Sequence, residues 1–187
     1  MASGIVGEFF ELKAETSADL LAMQMGDFYE FFGEDAELVG EELDLKVSER
    51  SSGGEPYAMA GVPVDDLTPY VKALVERGYR VAIADQRETD GDIVRAVTRT
   101  VTPGTLLETD DAEAQYLASV TCVDSAYGLA FCDITTGRFR VTTLSGEAVI
   151  DRLLNEIDRF DPVELLPGPD VRTDDGVLST LRTGFDA

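Results

Sequence analysis

One heptapeptide, Gly26-Asp27-Phe28-Tyr29-Glu30-Phe31-Phe32, concentrates the chemistry that this sequence offers. Its four aromatics in five positions cannot all face one core from a single helix. Gly26-Asp27 signals a turn and a helix N-cap. A helix over Tyr29 to Leu43 then puts Phe31, Phe32, Ala36, Val39 and Leu43 on its buried stripe. Phe28 is left at the turn, where two fates are open to it. It can pack beneath the turn, the common fate of a phenylalanine. If exposed, its ring can wedge between base steps from the minor groove, unstacking and kinking a duplex. Glu30 follows two residues on, and its ordinary reading is a solvated surface charge.

Other chemistries lack their residues. The sequence has no histidine, which removes the commonest general base and metal ligand and every His-dependent triad. None of the three lysines, Lys13, Lys46 and Lys72, follows a glycine, so there is no Gly-Lys-Ser/Thr phosphate loop. Cys122 and Cys132 are too few for a disulfide framework or a zinc site. They lie on neighbouring strands of a predicted hairpin and are expected close together as buried free thiols. Asp133, with Asp124 near it in sequence, is the one acidic residue on a strand suited to two-metal nuclease chemistry.

The 187 residues carry 37 acidic and 15 basic side chains, a net charge of −22. Such acidity either keeps a chain away from phosphates or belongs to a salt-loving cell, where a carboxylate surface maintains solubility and salt screens the repulsion. The acids are spread over the whole chain rather than gathered in a tail, which favours the second reading. No apolar run approaches the ~20 residues of a membrane helix, and Met1-Ala2-Ser3-Gly4 does not open a signal peptide. A cytoplasmic protein is expected.

The elements that must position these residues follow from periodicity. A helix is expected over Ile5 to Ala14, a strand over Leu20 to Met25, the helix from Tyr29, a strand over Leu45 to Arg50 and a loop at Ser51 to Gly54. A second helix starts at Asp66 with Pro69 in its first turn and stops at Gly78. Strands Tyr79 to Gln86 and Ile93 to Val101 close this half at the turn Thr102 to Thr105. Beyond a polar stretch, strands Tyr116 to Val123, Gly128 to Thr135 and Gly137 to Leu144 precede a helix over Glu147 to Phe160 and a strand at Val163 to Leu166. Three meandering strands, a helix and a further strand match the opening half of a ribonuclease-H-like fold. The chain is therefore expected to be a piece of something longer.

Three segments, Met25-Gly26-Asp27-Phe28-Tyr29-Glu30, Met59-Ala60-Gly61-Val62-Pro63 and Val101-Thr102-Pro103-Gly104-Thr105, resemble in order and separation the N-terminal domain of the MutS family of DNA mismatch-repair proteins. Asp133-Ile134-Thr135-Thr136-Gly137-Arg138-Phe139 resembles a strand of that family's connector domain. The resemblance covers nearly the whole chain and thins after Leu166. It implies a mixed α/β chain: a small mixed-sheet mismatch-recognition domain at 1–107, a linker at 108–114 and the first half of a ribonuclease-H-like connector at 115–187.

It further implies that Phe28 and Glu30 are the mismatch reader. A mispaired base is poorly stacked, so a ring inserts beside it at a cost lower by about a few kcal/mol, which discriminates by deformability rather than base identity. The field of the phosphates raises the Glu30 pKa, so that it binds as the neutral acid and donates to a base. The implied partner is duplex DNA with mismatches or small loops. A self-dimer, downstream repair factors, ATP and magnesium belong to a longer parent, and this chain carries no cofactor, metal site, ATPase or membrane contact. The sequence departs from the family in two places: Val64-Asp65-Asp66 replaces an aromatic-histidine pair, and the segment from Gln86 to Val101 is short. Arg95 and Arg99 alternate along one expected strand face, as phosphate contacts or as solvated charges. The alternatives are a metal-dependent nuclease at Asp133 and a protein-interaction module of a repair complex.

Overall fold

The computed structural model describes residues 4–89, 91–106 and 114–184. The linker expected at 108–114 lies outside them apart from Ala114. The chain divides into two compact units, residues 1–106 and 107–187.

In the first unit, α1 (Gly4–Glu15) leads into β1 (Leu20–Met25) and β2 (Phe28–Phe32), followed by α2 (Glu34–Leu43), β3 (Ser48–Ser52), β4 (Glu55–Pro63), α3 (Leu67–Glu76), β5 (Val81–Thr89) and β6 (Asp92–Val101). The strands form one mixed sheet in the order β3-β4-β2-β1-β5-β6, parallel only between β1 and β5. Leu20, Ala22, Tyr29, Phe31 and Ile83 point to the face that α2 and α3 cover with Ala36, Val39, Leu67, Val71, Leu74 and Val75. Leu21, Met23, Phe32, Ala82 and Ala84 point to the other face, which α1 covers with Val6 and Phe9. Both faces of the central strands are thus dry, which explains the continuous apolar run at Leu20 to Met23.

The helix expected from Tyr29 is a strand for its first residues. Phe28 to Phe32 pairs with β1 on one side and β4 on the other, and the helix begins only at Glu34. A period of two suits these aromatics better than 3.6, because each sheet face has its own core: Phe31 fills one and Phe32 the other. Gly33 makes the switch. Its φ of 59° and ψ of −132° lie in a region open essentially to glycine. The loop expected at Ser51 to Gly54 is a two-residue hairpin turn, with Ser52 paired to Glu55 and both glycines at positive φ. The long strand β4, which carries Met59-Ala60-Gly61-Val62-Pro63, was not among the expected elements.

In the second unit, β7 (Tyr116–Val123), β8 (Ala126–Asp133) and β9 (Arg138–Leu144) form an antiparallel meander, and α4 (Val149–Phe160) leads to β10 (Glu164–Pro167). The order is β10-β7-β8-β9, with β10 parallel to β7. The fourth strand lying beside the first is the arrangement that a ribonuclease-H-like opening half requires. Two helices absent from the sequence reading, α5 (Pro169–Arg172) and α6 (Asp175–Gly184), add Val171 and Leu181 to the core beneath α4. The opposite sheet face leaves Phe139 and Val141 exposed.

Candidate functional site

Phe28 and Glu30 sit on a hairpin rather than at a helix start. Met25 pairs with Phe28 across the two-residue turn Gly26-Asp27, and Gly26 has φ of +62°, the first-position glycine of a type II′ hairpin. Because side chains alternate, Phe28, Glu30 and Phe32 share the α1 face while Tyr29 and Phe31 point away from it. Phe32 packs edge-on against Phe9 beneath α1, with ring centroids 5.3 Å apart. Phe28, four residues earlier, lies outside that core and is 47 % exposed. Tyr29 anchors the strand from the other side: its hydroxyl donates to Asp85 Oδ1 at 2.5 Å. Burial and that carboxylate push its pKa up to about 12. A further bond, from Val64 N to Asp27 O at 2.9 Å, ties the turn to the end of β4.

Glu30 is not a solvated surface charge. Its side chain is 16 % exposed and pairs with Arg50 through Nη1 to Oε2 at 3.1 Å. Burial raises its pKa above the usual carboxylate range, while Arg50, and more weakly Arg95, pull it down. Desolvation therefore pushes it toward the neutral acid with no phosphate nearby. Gly61, paired across from Glu30, carries no side chain to screen it; a Cβ there would stand 3.4 Å from Glu30 Cγ and 3.9 Å from the Phe28 ring. Arg50 was assigned no role from the sequence. It reaches Glu30 only because β3 joins β4 and β4 joins β2, a strand order that spacing does not disclose.

Arg95 and Arg99 do not share a strand face. A β-bulge opposite Ile83 and Ala84 leaves Thr98 as the extra residue of β6, and one extra residue flips every later side chain. Arg99 falls on the face of Tyr29 and Asp85, where it is exposed and close enough to offset part of the rise in Tyr29 and to help lower the Asp85 pKa. Arg95 falls on the α1 side and is turned inward, its side chain 8 % exposed. It donates to Glu8 Oε2 at 2.9 Å, to Gln24 O at 2.8 Å and to Gln86 Oε1 at 3.1 Å.

In the second unit, Asp133 is buried, and hydroxyls and amides of its own turn occupy its carboxylate. Thr135 donates its hydroxyl to Oδ1 at 2.7 Å and its amide at 3.1 Å, while the Thr136 hydroxyl donates to Oδ2. The Thr136 and Thr135 hydroxyls hold its pKa down to about 2. Among the described residues, no three carboxylates or thiols converge on a point that could take a metal. The two cysteines are not close: Cys122 lies opposite Tyr127 and Cys132 opposite Leu117, about 17 Å along the ladder at ~3.4 Å per residue. Both are free and half-buried, on opposite faces of the sheet.

The chain is thus a six-stranded mixed α/β unit with an open aromatic hairpin, followed by a unit built on a four-stranded sheet. Residues 3–110 match the MutS domain I model and residues 115–186 the MutS domain II model, and the chain belongs to the MutS family. It is 61 % identical, over its full length, to the protein named DNA mismatch repair protein MutS 1 of Haloarcula marismortui, and 60 % identical over 98 % of its length to the protein of the same name in Halobacterium salinarum. Similarity extends, at 39 % over 98 % of the chain, to the DNA mismatch repair protein MutS 2 of Haloarcula marismortui. The chain spans about a fifth of the length of these relatives (21 %, 21 % and 20 %). No described helix is long and apolar enough to cross a membrane.

Proposed function

We propose that this chain is the mismatch-reading part of a DNA mismatch-repair protein, with Phe28 as the wedge and Glu30 as the group that bonds the displaced base. The observation that carries the reading is the Phe28 ring, left open at the tip of a hairpin whose next same-face residue, Glu30, is already desolvated. A ring on a stiff two-residue turn enters a base step with little further ordering of the chain, and a mispair yields more readily than a paired step. Glu30, raised in pKa by burial, is poised to accept a proton as phosphates approach and then to donate a hydrogen bond. Exposed Arg99 is retained as a phosphate contact; Arg95 has a donor on each of its three nitrogens engaged by protein. The partner is duplex DNA containing mispairs or small loops. Self-association, ATP with magnesium and downstream repair factors are functions of the longer protein.

The test is a binding ratio, heteroduplex over homoduplex, for the full-length protein. Phe28→Ala is expected to collapse the ratio toward one while sparing the weaker, salt-sensitive binding to paired duplex. Glu30→Gln, whose amide still donates, is expected to lose less than Glu30→Ala. A ratio unchanged in Phe28→Ala sinks the assignment.

A further inference from the structure

Arg95, Gln86 and Gln24 form a polar cluster that no role in DNA contact accounts for. Strands β1 and β5 pair in parallel only as far as Met23 and Ala84. Past that point the ladder lapses and side chains take over its bonds. Gln86 N donates to Gln24 Oε1 at 3.0 Å, and Arg95 Nε donates to Gln24 O at 2.8 Å. The turn joins the same cluster. Gly26 N donates to Gln86 Oε1 at 3.2 Å, Gln24 Nε2 donates to Gly26 O at 3.3 Å, and Arg95 Nη2 donates to that same Gln86 oxygen at 3.1 Å. Glu8 on α1 holds the far side of the guanidinium at 2.9 Å.

We infer that Arg95 and Gln86 are positioning residues: a latch that fixes the Gly26-Asp27 turn, and through it the Phe28 ring, to β5, β6 and α1. This rests on the wedge reading above. The physical need is plain. A two-residue hairpin turn at the end of a sheet would rock under the load of unstacking a base step, and a wedge that rocks no longer separates a soft mispair from a stiff paired step. The planar guanidinium suits the task, since it bonds a carboxylate, a main-chain carbonyl and a side-chain amide at once in fixed directions. Its closure from solvent distinguishes it from an arginine that serves phosphate.

The experiment uses the full-length protein with Arg95→Met, Gln86→Leu and Gln86→Glu beside Phe28→Ala. A latch predicts that Arg95→Met and Gln86→Leu lower the heteroduplex-to-homoduplex ratio tenfold or more. It also predicts an unchanged slope of log affinity against log salt, because no phosphate contact is lost. Gln86→Glu keeps the acceptor used by Gly26 and Arg95 and should retain the ratio. A phosphate-contacting Arg95 predicts the reverse, a slope shallower by about one with the ratio intact, and that result overturns the latch. Should Arg95→Met fail to fold, the half-buried Gln86 pair decides alone. Hydrogen exchange over residues 20–32 separates this proposal from the wedge itself. The Gly26 amide should exchange at least tenfold faster in Gln86→Leu whether or not Phe28→Ala changes binding, and an unchanged exchange rate refutes the latch.

Discussion

Replacing Phe28 and Phe32 singly by alanine asks whether two aromatics on one strand face have separate purposes. Full burial of a phenylalanine contributes about 1.5–3 kcal/mol. Phe28 keeps 47 % of its surface open, so truncating it forgoes about half of that, roughly 1–1.5 kcal/mol. Loss of strand propensity adds at most about 1 kcal/mol in the same direction, for a total of ~1–2.5 kcal/mol. Phe32 is closed to solvent and stacked edge-on against Phe9. Its removal leaves a cavity between α1 and the sheet and should cost about 3–5 kcal/mol. Urea melts of the chain measure both, with stabilities compared at equal m. The expectation is that Phe32→Ala costs more than Phe28→Ala, with mid-range values about 2 kcal/mol apart. If Phe28→Ala costs as much as Phe32→Ala, Phe28 is an ordinary core residue and not an open wedge.

Two further tests bear on charge. With 37 acidic residues against 15 basic ones, the chain should melt higher in molar potassium chloride, where the Debye length is about 3 Å, than in dilute buffer; a melting point that falls steadily with salt refutes the halophilic reading of its acidity. Asp133, held in the fold at a pKa of about 2 against an unfolded value near ~3.9, contributes stability that is complete above the unfolded pKa and lost as pH falls from ~4 toward the folded value. The stability difference between the parent chain and Asp133→Asn should therefore shrink over that window, and a difference flat in pH contradicts the assignment. Labelled duplex with magnesium or manganese should stay uncut; cleavage abolished in Asp133→Asn would restore the nuclease alternative.

Much of the molecule was legible in its residues because local rules apply there. The apolar run of β1, the amphipathic α3 and α4 and the turn at Thr102 to Thr105 follow from short-range periodicity and turn chemistry, and the structure keeps them. The heptapeptide from Gly26 to Phe32 stands out in the sequence, yet its secondary structure does not follow from it: the expected helix is a strand over Phe28–Phe32. An aromatic run flanked by glycines satisfies a helical stripe and a two-faced strand equally well until the neighbours are known. Gly33 separates the two, a glycine placed where the chain leaves a strand at positive φ to enter a helix.

Residue type and order thus determined the resemblance to the MutS family, singled out Phe28 and Glu30 as the candidate site, and left no histidine for catalysis. Tertiary structure alone decided the company those residues keep. Arg50 meets Glu30 twenty residues away in sequence through two intervening strand pairings. Arg95 and Arg99, an even interval apart, part to opposite faces because one bulged residue breaks the alternation. Cys122 and Cys132, on adjacent strands, sit at different heights and on different faces because register, not sequence distance, sets proximity across a hairpin. In each case the deciding quantity is the pairing of strands, a long-range choice made by which faces can be buried together, and no local spacing encodes it.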